Sequence, residues 1–322
     1  RYSKKVWTQT VQKIRHYYPQ WSLGNICRLF GRSRQGYYKN AHREQTQFMK
    51  EGIVIDQVRY LRSRQPRVGT RRMLEMLQPI LEQHQIKMGR DKLFDLLASH
   101  QLLVRRSRRR RVKTTDSNHF YRRYPNLIRE AEVKTVNQVW VSDITYVSLT
   151  ADKFCYLSLI TDVYSRKIIG YHLHSSLKKE GPIAALRMAL KTREGSVYYR
   201  TIHHSDRGIQ YCCKEYTDIL VDNDIAISMT QQGDPGENAI AERVNGILKT
   251  EFTLSSTFSS FSQALEAVVK AVEIYNQERL HASCDYLTPD QAYRKAWGQM
   301  KRRWKSAKKR AVNEKQDVLS TM

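Results

Sequence analysis

The sequence predicts an α/β domain with a five-stranded mixed sheet, preceded by small all-helical units. Up to about residue 104 the apolar residues recur at helical spacing, whereas from residue 136 short strand-like runs alternate with helical patterns. The formal net charge of +25 is also divided unevenly, with +21 on residues 1–135, −2 on residues 136–295 and +6 on residues 296–322. A nearly neutral α/β domain is therefore expected between two basic segments.

The composition indicates the cellular compartment and the kind of binding partner. The five cysteines form no CxxC pair and no disulfide framework, which is typical of a reducing cytoplasm. No apolar run approaches the roughly 20 residues of a membrane span, and no signal peptide is visible, so we expect no membrane partner. A basic excess on separate segments predicts a polyanion such as DNA, the alternative being charge that serves only solubility.

The first helical unit, residues 1–45, has the pattern of a helix-turn-helix. Apolar spacing predicts a helix over residues 23–30, a turn at 31–33 and a short second helix over 34–39. Polar, basic and aromatic residues near the second helix suit contacts with a DNA groove and with phosphates. The candidates are Arg32, Arg34, Gln35 and Tyr37. The alternative is a helical hairpin that serves only packing.

The second helical unit, residues 46–104, is also predicted to bind DNA. Its expected helices cover residues 53–62, 70–77 and 91–100, and the middle one should end near Pro79. Packing alone is again the alternative. The candidate DNA contacts are Arg71, Arg72, Arg90 and Lys92.

A basic linker, residues 105–135, and a basic tail, residues 296–322, flank the α/β domain. The linker begins with six arginines in seven residues. Such a run cannot pack against itself, and we expect it to follow phosphates or enter a minor groove rather than serve only as a solvated connection. These candidates are Arg105, Arg106, Arg108, Arg109, Arg110 and Arg111.

Residues 136–295 are predicted to form the α/β domain. The expected strands cover residues 138–149, 154–161, 167–174, 197–203 and 226–229, and the expected helices cover 182–191, 214–222, 237–251 and 262–278. Three strands, helix, strand, helix, strand, helix is the element order of a ribonuclease H-like domain. That order places the first and fourth strands side by side.

Three carboxylates stand out in this domain. Asp143 lies inside an apolar strand, where a carboxylate is energetically costly unless it is paired or bound to a metal. Asp206 ends another apolar run. Glu242 lies in a helix, with 35 residues between it and Asp206. Clustered carboxylates are hard oxygen ligands that suit a pair of Mg²⁺ ions, which can clamp the two oxygens of an in-line phosphoryl displacement. Of His203 and His204, we expect one to face the core and the other the cleft.

The phase of the third helix places four polar residues on one face. Asn238, Glu242, Asn245 and Lys249 recur at helical spacing, while the apolar residues lie largely away from them. Glu242 can then look into the cleft, and Asn245 and Lys249 are candidates for contact with DNA. Asp162 is the strongest competing carboxylate, but at a hairpin a turn or capping role is expected.

These motifs resemble those of the second-frame product of the insertion sequence 3 family, a DDE transposase of the retroviral-integrase superfamily. The similar stretches are Val139–Tyr146, Leu159–Gly170, His204–Tyr211, Ser228–Lys249, Tyr275-Asn276-Gln277, His281, Leu287-Thr288-Pro289 and, in the helical units, residues 26–38 and 66–72. The resemblance implies that Asp143, Asp206 and Glu242 are the catalytic, metal-binding triad and that Lys249 is the family's downstream lysine. Arg207 stands where glutamine is commoner, and Asp234–Asn238 replaces an aromatic-Asp-Asn run.

The resemblance also implies an activity. A bacterial transposase of this kind binds the terminal inverted repeats of its element, cuts to expose a 3′-OH and transfers that strand to target DNA, using two Mg²⁺ ions or Mn²⁺ as a substitute. The implied partners are double-stranded DNA, a second copy in an active dimer, and an upstream-frame protein that frameshifting fuses to this chain. Because Arg1 is not a start methionine, we expect an excised or internal fragment. By the resemblance, the complete enzyme would be the fusion. The implied location is the bacterial cytoplasm, at the nucleoid.

Two other functions are compatible with the same residues. One is a ribonuclease H-like nuclease that only hydrolyses, against which the basic helical units argue. The other is a non-catalytic DNA-binding regulator derived from a transposase, against which the intact triad argues.

Overall fold

The computed structural model describes residues 6–104, 120–129, 131–150, 153–193, 200–231, 237–295 and 300. The described chain divides into two compact units. The first comprises residues 6–63 and 68–104, and the second contains the remainder. No helix in the described ranges is long and apolar enough to cross a membrane.

Residues 6–104 form helices joined by short turns and loops. The helices are α1 (Val6–Tyr17), α2 (Leu23–Leu29), α3 (Arg34–Arg64), α4 (Thr70–Gln83) and α5 (Arg90–Ser99). Ser22 caps α2, because its Oγ accepts a hydrogen bond from the backbone N–H of Asn25 at 3.2 Å. The predicted helix, turn and helix over residues 23–39 are therefore present.

Two helix boundaries differ from those that the sequence predicts. The short helices expected over residues 34–39 and 53–62 are parts of one 31-residue helix, α3, because nothing between them breaks a helix except the tolerated Gly52. The domain boundary that we predict between residues 45 and 46 lies inside this helix. Helix α4 continues through Pro79 to Gln83, since Leu77 and Leu81 on either side of the proline are buried in one core.

The second unit contains the five-stranded mixed sheet that the sequence predicts. The strands are β1 (Val139–Ser148), β2 (Phe154–Asp162), β3 (Ile168–His174), β4 (Ile202–Ser205) and β5 (Ala226–Met229). Their order is β3-β2-β1-β4-β5, with β1, β2 and β3 antiparallel and β4 parallel to both β1 and β5. The first and fourth strands are neighbours, as expected, but β4 begins at Ile202 rather than at residue 197.

Helices cover both faces of this sheet. They are α6 (Glu180–Arg193), α7 (Ile209–Cys212), α8 (Lys214–Asp222), α9 (Ala239–Glu251), α10 (Phe261–Gln277) and α11 (Pro289–Tyr293). Residues of α9 and α10 share one buried cluster with β1, β2 and β3, and residues of α6 and α8 share another on the opposite face. Gly170 allows α6 to approach β3, because a Cβ there would lie 2.1 Å from the carbonyl oxygen of Ala185.

The start of β3 is fixed by residues from α10. The side-chain amide of Asn276 accepts from the N–H of Ile168 at 3.0 Å and donates to its carbonyl at 2.9 Å. The hydroxyl of Tyr275 donates to the carbonyl of Arg166 at 2.9 Å. These contacts, which we call the Asn276 bracket, assign a structural role to part of the closing sequence motif.

Asp162 has the turn role that the sequence predicts. Its side chain is fully buried, and Oδ1 accepts from the N–H of Ser165 at 2.8 Å and from its Oγ at 2.6 Å. Oδ2 accepts from the N–H of Asn137 at 2.8 Å. This carboxylate is therefore committed to the hairpin between β2 and β3.

Candidate active site

The register of β1 and β4 brings two of the predicted carboxylates together. Val139 pairs with Ile202 and Val141 with His204, so the same register sets Asp143 opposite Asp206, the first residue after β4. Both side chains are partly exposed. The backbone N–H of Gly208 donates to Oδ1 of Asp206 at 3.0 Å and holds that carboxylate in place.

The environment of Asp143 opposes its charge. Burial, followed by the nearby Asp206 carboxylate, raises the pKa of Asp143 to about 7, with a smaller contribution from Glu242. Hydrogen bonds from Asn245 and from the N–H of Ile144 act in the opposite direction. A bound cation would reduce the electrostatic repulsion among these three carboxylates.

Asn245 does not have the role that the sequence predicts. Instead of being free to contact DNA it is buried, and its Nδ2 donates to Oδ2 of Asp143 at 2.7 Å. Asn238, at the start of α9, is also buried and donates to the carbonyl oxygen of Ser142 at 3.0 Å. Both residues therefore attach α9 to β1. Their positions on the polar face with Glu242 were a signal for this role.

Glu242 lies on the exposed side of α9, as the helix phase predicts, while Val244, Ile247 and Leu248 are buried. Burial nevertheless raises the pKa of Glu242 above its ordinary value. Within the described ranges, no three His, Cys, Asp or Glu side chains converge closely enough to hold one metal ion. The all-carboxylate donor set with Asp143 and Asp206 still fits a hard divalent cation by its chemistry.

Lys249 lies two turns beyond Glu242 and is partly buried. Its Nζ is 3.8 Å from the centroid of the Tyr146 ring. Burial lowers the pKa of Lys249, while the charge of Asp143 raises it. Tyr146 is a site residue that the sequence did not reveal, although it lies only three positions after Asp143.

The two histidines before Asp206 are both buried, so the expectation that one faces the cleft is wrong. Nε2 of His203 lies 2.6 Å from Oγ of Ser142 and 2.9 Å from the hydroxyl of Tyr216. Nδ1 of His204 lies 2.8 Å from Oγ of Ser228. Burial lowers the pKa of His203 to about 3 and that of His204 to about 4, so both are neutral links between strands and helices.

Most of the predicted DNA contacts in the helical region are exposed or partly exposed. These are Arg32, Arg34, Gln35, Arg71, Arg72, Arg90 and Lys92. Tyr37 is an exception, because it is buried in a core with Val11 and Ile26 and meets Trp7 edge-to-face at 6.0 Å. Its candidacy is therefore wrong, and the neighbouring Tyr38 is 54% exposed instead. The six linker arginines, Arg105, Arg106, Arg108, Arg109, Arg110 and Arg111, lie outside the described residues.

Comparison with known proteins agrees with this arrangement. The integrase core domain family matches residues 134–235, and a second family of the same description matches residues 223–289. The insertion element IS600 uncharacterized 31 kDa protein of Shigella sonnei is 35% identical over 280 residues, which are 85% of this chain and 99% of that protein. This chain belongs to the insertion sequence 3 family of transposases.

Other relatives of this transposase match over shorter lengths. The transposase for insertion sequence element IS629, also of Shigella sonnei, is 32% identical over 58% of this chain and 61% of its own length. The HTLV-2 integrase catalytic core domain in complex with magnesium is 18% identical, with a TM-score of 0.39 over 49% of this chain and 97% of its own. The ribonuclease H-like fold of the transposase is evident from its own strand order and the matched integrase core.

Proposed function

We propose that this transposase binds the terminal inverted repeats of a bacterial insertion sequence, cuts there to expose a 3′-OH and joins that end to target DNA. The observation that supports this reaction most directly is the parallel register that sets Asp143 opposite Asp206. Helix α9 adds Glu242, whose charge acts on Asp143. Three carboxylates from three elements thus act on one another at the edge of the sheet.

Asp143, Asp206 and Glu242 would hold two Mg²⁺ ions, for which Mn²⁺ could substitute. When bound, such a pair supplies Lewis acidity that stabilises the attacking and leaving oxygens of an in-line phosphoryl displacement. Asn245 orients Oδ2 of Asp143, and the N–H of Gly208 orients Oδ1 of Asp206. These two hydrogen bonds keep the carboxylates in position despite their mutual repulsion.

The basic segments outside residues 136–295 would bind the DNA. Their net charge of +21 and +6 contrasts with −2 on the catalytic segment, and each phosphate that they neutralise releases counterions. The two helical regions would recognise the inverted repeats, with the arginine-rich linker tracking the backbone. We further propose an active homodimer, fusion to an upstream-frame protein, and action in the bacterial cytoplasm at the nucleoid.

The test uses a duplex that carries the element end, with and without Mg²⁺. We expect Asp143→Asn to abolish cleavage while leaving repeat binding unchanged, because only the metal-binding carboxylate is removed. Asp222→Asn, the same substitution at the exposed end of α8, is the control and should cut normally.

A second substrate separates the remaining alternatives. A pre-cut end with a free 3′-OH should be joined to target DNA by the unmodified chain. Cleavage without joining would indicate a nuclease that only hydrolyses. Binding with no Mg²⁺-dependent cleavage would indicate a non-catalytic regulator.

A further inference from the structure

We propose that Tyr146 is a positioning residue that holds the ammonium group of Lys249 in place for contact with a phosphate of the DNA end. This inference rests on the proposed function, because it assigns that phosphate to the same site. It starts from one contact, the 3.8 Å between Nζ of Lys249 and the centroid of the Tyr146 ring. A cation over the face of an aromatic ring at this distance is attracted by the ring quadrupole.

Tyr146 lies on the part of β1 that extends beyond its pairing with the short strand β4. The ladder between β1 and β4 extends only from Val139 to Val141, so β1 continues without further pairs to β4. Tyr146 lies in this continuation, partly exposed, on the same strand as Asp143. The Tyr146 ring lies on the face of β1 opposite Asp143, and Lys249 connects the two, because its Nζ contacts the ring and the charge of Asp143 also acts on it.

The ring is itself held by a neighbour on β2. Phe154 meets Tyr146 edge-to-face, with 5.5 Å between ring centroids and an interplanar angle of 86°. Aromatic pairs favour this arrangement over direct face-to-face stacking. This contact restrains the Tyr146 ring in the orientation that faces the lysine.

The Tyr146 ring matters for the orientation of Lys249 because no carboxylate forms an ion pair with this lysine in the described residues. In the described residues no ion pair includes Lys249, and the electrostatic neighbour that acts on it is Asp143. A free lysine side chain loses rotational freedom when it binds a phosphate. The Tyr146 ring restricts the side chain beforehand, while leaving the ammonium hydrogens available to an anion.

The contact involves the face of the ring and not the phenol hydroxyl. Phenylalanine at position 146 should therefore hold Lys249 nearly as well, whereas leucine should not. This distinction separates a role of the ring from a role of the hydroxyl group.

The experiment measures affinity of the full chain for the element-end duplex, without metal, over a range of salt concentrations. We expect Tyr146→Leu to weaken binding about five- to tenfold, which corresponds to about 1 kcal/mol and lies within the range of cation–π contacts. The slope of log affinity against log salt should become shallower by about 0.9, the value of one phosphate contact. Tyr146→Phe should stay within about twofold of the unmodified chain.

The pairing with Lys249 is tested by a double-mutant cycle. Lys249→Gln alone and Tyr146→Leu with Lys249→Gln should bind equally weakly, because the ring acts only through the lysine. Independent, additive losses would overturn the proposal, as would a Phe variant as weak as the Leu variant. Tyr156→Leu is the matched control, since Tyr156 lies opposite Tyr146 on β2 and should leave the salt slope unchanged.

A measurement on the free protein covers the case in which a variant binds poorly because it is misfolded. An amine-reactive reagent should label Lys249 several-fold faster in Tyr146→Leu than in Tyr146→Phe, because the ring stabilises the ammonium form, which does not react. Tyr146→Met replaces the Leu variant if the latter does not fold. Equal labelling rates of Lys249 in all forms would overturn the proposal. A failure of the proposed function would be seen separately, because the unmodified chain would then bind element ends without cutting them.

Discussion

Nδ2 of Asn245 lies 2.7 Å from Oδ2 of Asp143, so a side chain of α9 orients a carboxylate of β1. The remaining polar atom of Asn245, Oδ1, is buried and has no hydrogen-bond partner among the described residues. A buried polar atom without a partner costs free energy. Asn245 therefore lowers the stability of the folded chain through its unpaired Oδ1, and this cost is consistent with a role in positioning Asp143.

We expect Asn245→Ala to reduce Mg²⁺-dependent cleavage about 10- to 100-fold, the usual effect of removing a group that orients a metal ligand. The loss should be partly recovered at high Mg²⁺ concentration, because the carboxylate itself remains. Cleavage rates over a Mg²⁺ titration provide the measurement. Asn223→Ala, at the exposed end of α8, is the control, and an identical Mg²⁺ dependence in both variants would contradict the role.

The raised pKa of Asp143 predicts how stability depends on pH in the absence of metal. At about pH 3 or below the carboxyl is protonated in both the folded and the unfolded state. As the pH rises to about 7, the unfolded state loses this proton first, so the folded state is progressively destabilised relative to it. Asp143→Asn removes this penalty.

The stability of the Asn variant should therefore match that of the unmodified chain at about pH 3 and exceed it by roughly 1–2 kcal/mol above pH 7. This is less than the whole pKa shift corresponds to, because the Asp143 side chain is partly solvated. Urea unfolding in EDTA at several pH values provides the measurement. Added Mg²⁺ should reduce the difference. A difference that stays constant between pH 4 and pH 8 would exclude Asp143 as its source.

Two glycines should respond in opposite ways to alanine. A Cβ at Gly246, inside α9, meets nothing within 4 Å, so Gly246→Ala should stabilise the chain by about 1 kcal/mol through helix propensity. A Cβ at Gly170 would collide with the backbone of α6, so Gly170→Ala should destabilise by roughly 2 kcal/mol or more. Thermal unfolding of both variants tests the pair. A stable Gly170→Ala variant would contradict the close approach of α6 to β3, and a destabilised Gly246→Ala variant would contradict the open space at Gly246.

The buried pair of Arg279 and Glu251 should behave differently from a surface pair. Nε of Arg279 lies 2.8 Å from Oε2 of Glu251, and the arginine is 1% exposed. Arg279→Met removes the buried guanidinium that pairs with the glutamate and should cost about 3–5 kcal/mol, most of which Glu251→Leu in the same chain should restore.

The comparison for that prediction is Arg59→Met, which breaks an exposed pair with Asp56 and should cost less than about 1 kcal/mol. Chemical denaturation measures both. Similar losses for the two arginines would indicate that the Arg279 pair is solvated rather than buried.

The sequence was sufficient for features that depend on periodicity within one element. The helical period of α9 correctly assigned Val244 and Leu248 to the core and Glu242 to the exposed side. Element order correctly made β1 and β4 neighbours, which is what brings Asp143 and Asp206 together.

Features that depend on contacts between elements could not be predicted from the sequence. Strand alternation places Tyr146 on the face opposite Asp143, so its contact with Lys249 on α9 could not be expected from the strand pattern. Tyr37 looked available for DNA, but the packing of α1 and α2 decides that it is buried. Asn245 shares a helix face with the exposed Glu242, and its burial depends on how closely β1 approaches.

The Asn276 bracket bears on how such an element decays in a genome. The three proposed catalytic carboxylates all lie before residue 243, so a late nonsense mutation leaves them intact in the reading frame. A chain that ends before Asn276 nevertheless loses both hydrogen bonds that fix Ile168 at the start of β3. Copies with late stop codons are therefore expected to be inactive through misfolding, and an unbroken triad in a gene does not by itself identify a mobile copy.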